Sequence, residues 1–86
     1  MSMRSRVIAV FTEVAAEQNK SLAPLTDQLG LLECGLDSLC FAIIVARLED
    51  EFNIDPFAQT DLDFPVTVGG FIRLYENSAA SDRAQN

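Results

Sequence analysis

The sequence predicts an all-α fold: a small antiparallel four-helix bundle of three main helices plus a short third helix, with a long loop before helix two. Three observations carry this expectation. Apolar residues recur at intervals of three and four in three separate segments, and residues that break helices cluster between those segments. The length of 86 residues suffices for one core and leaves no room for a second domain.

The first segment runs from about Arg4 to Gln18, where Val7, Val10, Phe11 and Val14 share one face and Glu13 and Glu17 lie elsewhere on the wheel. Its β-branched content lowers intrinsic helix propensity, so its stability must come from burying that stripe. Residues 19–37 carry Ser21, Pro24, Thr26, Asp27, Gly30 and Gly35, which interrupt a long helix. Yet leucines stand at positions 22, 25, 29, 31, 32 and 36, too many for a solvated linker. This predicts a long loop pinned to the core by leucine side chains, with room for one short helical turn, and loops of this kind are often functional.

The second helix is expected over Ser38 to Glu51, with Phe41, Ile44, Val45, Leu48 and Phe52 as its core stripe. Leu39, Ala42, Ile43 and Ala46 lie on another side, which fits either a helix packed on two sides or an exposed docking patch. Glu49, Asp50 and Glu51 close the helix against its dipole. Pro56 marks the exit turn, residues 57–62 fit a short third helix, and Pro65 breaks the chain again. Thr67 is then a plausible N-cap for a last helix whose Val68, Phe71, Ile72 and Tyr75 share a face. Gly69 and Gly70 in its first turn require either fraying or close packing. The small, polar residues at the end read as a flexible C-terminal tail over 79–86, leaving residues 1–78 as the folded domain.

Composition narrows function. Thirteen acidic against six basic residues give a net charge of −7, which opposes binding to nucleic acid or an anionic membrane and favours partners that present Arg or Lys. No apolar run approaches the ~20 residues that span a bilayer, and Met1 to Arg6 shows no signal-peptide core, so the expected location is cytoplasmic. Histidine is absent, which excludes histidine-based triads and most zinc sites. Cys34 and Cys40 do not have the spacing of a redox pair and read as free packing thiols, although a reversible disulfide between them would make a redox protein. Asp61 and Asp63 lack the remaining spacing of a calcium loop.

One stretch stands apart: Cys34-Gly35-Leu36-Asp37-Ser38-Leu39 brings a serine to the first turn of helix two. Gly35 permits a sharp turn, and Asp37 or Ser38 can cap the helix. Gly35-Leu36-Asp37-Ser38-Leu39 resembles the phosphopantetheine attachment motif of acyl and peptidyl carrier proteins, written GxDSL. The resemblance extends to the first amphipathic helix, the leucine-bearing loop, the Leu-Glu-Asp-Glu-Phe closing helix two, and Phe64-Pro65-Val66-Thr67-Val68, covering about residues 4–77. The competing reading of Asp37-Ser38 is an ordinary helix cap.

The resemblance implies a free-standing carrier, not an enzyme. A phosphopantetheinyl transferase would move 4′-phosphopantetheine from coenzyme A onto Ser38, making a phosphoprotein whose arm holds acyl or aminoacyl cargo as a thioester. Asp37 would assist through the transferase's magnesium, Gly35 would present the serine, and Leu36 and Leu39 would serve as anchor and docking contacts. Carriers of fatty acid synthesis usually bear acids on the early face of helix two, where this chain has Cys40, Ile43 and Arg47. That departure favours amino acid or specialised acyl cargo over the housekeeping fatty acid role. The expected partner face is Leu39, Ala42, Ile43, Ala46, Arg47, Glu49 and Asp50. Expected partners are the transferase, an activating ligase of the kind related to aminoacyl-tRNA synthetases, and a downstream acyl-accepting enzyme, each visited by a monomer. A helical adaptor without an arm is the alternative from another class.

Overall fold

The computed structural model describes residues 2–54 and 65–84, with side chains through residue 78. The expected exit turn at Pro56, the short third helix over 57–62 and the Asp61 and Asp63 pair lie outside the described residues. Among the described residues the chain is all-α, with helices α1 (Met3–Glu17), α2 (Ser38–Phe52) and α3 (Val68–Ala84). One 3-10 turn, Leu31–Glu33, lies in the loop before α2. No described helix is long and apolar enough to cross a membrane.

The ends of α1 and α2 follow from local chemistry. The Ser2 hydroxyl accepts from the Ser5 amide and opens α1. Asn53, at φ 58°, closes α2 in the left-handed conformation that asparagine tolerates. Glu51, set against the helix dipole, is engaged by Arg6 of α1, whose Nε lies 2.7 Å from Oε2 and Nη2 2.6 Å from Oε1. The unfavourable acid at that end is therefore offset by a cation from a neighbouring helix.

Helix α1 packs against both α2 and α3. Its whole predicted stripe, Val7, Val10, Phe11 and Val14, is buried. Phe11 is the junction, with its ring edge-on to Phe71 of α3 at 5.4 Å and to Phe41 of α2 at 6.2 Å. The core stripe of α2 differs from the expectation. Cys40, Ile44 and Leu48 are fully buried, whereas Phe41, Val45 and Phe52 are half-buried and pack on the core's margin. The buried line Cys40, Ile44, Leu48 runs at intervals of four, and its small thiol carries a weaker apolar signal than the neighbouring Phe41 and Val45.

The loop is held as the leucines imply. Leu31 and Leu36 are buried, and Leu22, Leu25 and Leu29 pack against the core, but Leu32 is 91% exposed. Its backbone is fastened to the start of α3 by an antiparallel bridge between Gly30 and Thr67. In that bridge the Leu31 amide donates to Val66 O and the Val68 amide donates to Leu29 O, both at 2.9 Å. The Thr67 hydroxyl caps α3 by accepting from the Gly70 amide at 3.0 Å. Gly69 resolves the choice between fraying and packing. Its amide donates to Asp27 O at 3.0 Å, and a Cβ there would lie 2.8 Å from the Asp27 Cβ. Helix α3 runs to Ala84 and so extends past residue 78.

Candidate functional site

The site begins with Gly35. At φ 103° it occupies a conformation that side chains disfavour, and a Cβ there would lie 2.1 Å from the Ser21 carbonyl oxygen. The neighbouring Cys34 carbonyl accepts from the Ala23 amide at 2.9 Å, so the two limbs of the loop lie against each other. This sharp turn sends Leu36 into the core and leaves Asp37, Ser38 and Leu39 exposed.

Asp37 is the N-cap of α2. Its Oδ1 accepts from the Cys40 amide at 3.0 Å, and its Oδ2 lies 3.2 Å from the Lys20 ammonium. The Cys40 amide first, and Lys20 second, favour the ionised carboxylate and hold its pKa down at about 2. Ser38, the first residue of α2, is exposed. As first-turn positions, Ser38 and Leu39 have backbone amides without partners inside the helix. Such amides and the positive end of the helix dipole favour an anion at that end.

Ser38 opens onto a groove of about 880 Å³ between α2, the 3-10 turn and the segment entering α3. Leu36, Asp37, Ser38, Phe41, Ala42, Val45, Ala46 and Glu49 line it from one side, and Leu31, Leu32, Pro65 and Val66 from the other. Asp37 and Glu49 are its charged residues. Val66 is 77% exposed and stands with Leu32 at the groove's edge.

The sequence-derived partner face divides here. Ala42, Ala46 and Glu49 border the groove with Leu36, Asp37 and Ser38. Leu39, 60% exposed, does not, and neither do half-buried Ile43, Arg47 and exposed Asp50. Arg47 is engaged by Glu17 of α1 through both terminal guanidinium nitrogens, with Nη1 3.0 Å from Oε2. That pairing lowers the Glu17 pKa. The groove residues that sequence reasoning did not assign to the site are Leu31, Leu32, Phe41, Val45, Pro65 and Val66. Pro65 and Val66 lie in the flank that resembles the carrier family, while the spacing of Phe41 and Val45 fits a buried stripe as well as a groove wall.

The cysteines are free and buried. The Cys34 thiol donates to Leu31 O at 3.0 Å, and burial pushes the Cys40 thiol pKa up. Neither is placed as a nucleophile.

Residues 5–68 match the family model described as "Phosphopantetheine attachment site". No curated protein and no solved structure gives a significant match. The matched span covers most of the chain, which belongs to this family of phosphopantetheine-bearing carrier proteins. It is a non-catalytic carrier whose cofactor is covalent 4′-phosphopantetheine, holding cargo as a thioester.

Proposed function

We propose that Ser38 is the attachment residue and that the chain carries an amino acid or a specialised acyl group between partner enzymes. The observation that supports this most directly is the setting of the Ser38 hydroxyl: exposed, on the first residue of α2, beside a capped and ionised Asp37, at one end of an apolar groove. The residues present suit the group. The first-turn amides favour its phosphodiester, and the groove offers apolar walls to the chain beyond it. When bound, the arm supplies a thiol on which the carboxyl group of the cargo is held.

Ser38 is a substrate in that modification. Its Oγ forms a bond to the pantetheine-side phosphorus of coenzyme A, the pyrophosphate bond breaks, and adenosine 3′,5′-bisphosphate departs. The serine proton passes to a base of the transferase, because this chain has no histidine to receive it. Asp37, ionised at neutral pH, would assist the transferase through its magnesium once the transferase's site replaces the Lys20 contact.

The cargo reading rests on the face of α2. Leu39, Ala42, Ile43 and Ala46 follow the motif, and Arg47 is tied to Glu17, so the early acidic strip usual for fatty acid carriers is missing. An amino acid-activating ligase and an acyl-accepting enzyme are the expected visitors. Incubation with coenzyme A and a broad-specificity transferase should add the mass of one phosphopantetheine to the wild-type chain and none to Ser38→Ala. Equal gain by both would move the site elsewhere, and no gain by either would remove the carrier reading of this serine.

A further inference from the structure

We infer that Glu49 is a cargo-selecting residue: its carboxylate receives the α-ammonium group of an aminoacyl thioester lying along the groove. This rests on attachment at Ser38.

The first support is register. Ser38 and Glu49 both line the groove and stand eleven residues apart in one unbroken helix. At 3.6 residues per turn they return to nearly the same face, about 16–17 Å apart along the axis at ~1.5 Å per residue. From Ser38 Oγ to the terminal sulfur, the arm's chain has about fourteen bonds. An extended chain advances about 3.6 Å per three bonds, which gives the arm ~17 Å of reach. An arm lying in the groove would bring its thioester to the turn that carries Glu49.

The second support is charge. Between the two ends the α2 wall is Phe41, Ala42, Val45 and Ala46, which offer nothing to a polar cargo. Asp37 at the near end is already shared between Lys20 and the Cys40 amide. Glu49 has no basic partner among the described residues, although Glu17, Asp27 and Glu51 are each paired with an arginine. An unpaired carboxylate at the far end of an apolar wall favours a cation delivered there. A neutral acyl group gains nothing from it, and an anionic cargo is repelled.

The test loads the chain with two cargoes that differ in this one group. The wild type and Glu49→Gln are modified with the alanyl and propionyl amide analogues of the arm, which resist hydrolysis, and intact mass confirms loading of each. Amide chemical shifts then report position. In the wild type, the alanyl form should differ from the propionyl form at Ala46 and Glu49, and in Glu49→Gln that difference should vanish. The pKa of the cargo ammonium should be higher on the wild type than on Glu49→Gln by a few tenths of a unit, as expected for an exposed pair. Identical shifts for the two cargoes, or a difference that survives in Glu49→Gln, would overturn the inference. Failure to load Ser38 at all would instead defeat the attachment reading, and mass distinguishes that outcome before any spectrum is taken.

Discussion

Asp37 divides its two carboxylate oxygens between different tasks, one capping α2 through the Cys40 amide and the other facing Lys20. Its pKa, held down at about 2, below the ordinary aspartate range, makes the cap sensitive to acid with a definite sign. The ionised form is favoured in the folded chain, so its contribution is full above about pH 4 and is lost as pH falls towards 2. The urea midpoint of the wild type should exceed that of Asp37→Asn at pH 7, and the gap should close between pH 4 and 2. A gap independent of pH would show that the charge does not matter. Gly35 is the other residue with a strict local demand. Gly35→Ala must place a Cβ against the Ser21 carbonyl at a positive φ, so a loss of at least about 1 kcal/mol in denaturant unfolding is expected. Both requirements were legible in the pentapeptide, because a tight turn and a cap are properties of adjacent residues. The role of Ser21 as the surface against which Gly35 packs was not, since those residues meet only after the loop folds back.

At the scale of elements, α1 and α2 are written in their own sequences, through apolar periodicity and end residues. What periodicity alone could not choose was which of two adjacent stripes on α2 faces inward. Phe41 and Val45 fit the helical repeat as well as Cys40 does, and only the position of α1 decides between them. The distinction has a measurable consequence. Ile44→Ala, which empties part of the buried line, should cost about 2–5 kcal/mol, whereas Val45→Ala on the groove wall should cost much less and leave the unfolding transition nearly unmoved. Comparable losses would mean that the groove wall is structural. Helix α3 begins with a weak sequence, two glycines in its first turn, and relies on the Thr67 hydroxyl. Thr67→Ala should therefore lower stability by about 1 kcal/mol, seen as a lower thermal midpoint.

At the scale of the whole molecule, four cations among the described residues are paired with acids from distant parts of the chain: Arg4 with Asp27, Arg6 with Glu51, Lys20 with Asp37 and Arg47 with Glu17. These pairings were invisible beforehand, because nothing local says which acid a given base will meet. Their effect on the exterior is to consume positive charge internally, leaving the net charge of −7 to acids such as Glu13, Glu49, Asp50 and Glu76. Association with basic partner enzymes should therefore weaken as ionic strength rises, with the loss appearing in the association rate; a salt-independent rate would point to apolar docking alone. The bridge between Gly30 and Thr67 bears on a different property, the order in which the molecule opens. It ties two points of the chain between which all of α2 lies, so the helix bearing Ser38 sits inside a closed lariat of backbone. Fluctuations that expose the first turn of α2 need not release that knot, whereas exposing the Leu31 and Val68 amides must. In native-state hydrogen exchange those two amides should exchange as slowly as the centre of α1 and define the last unit to unfold, while the serine end of α2 opens far more often.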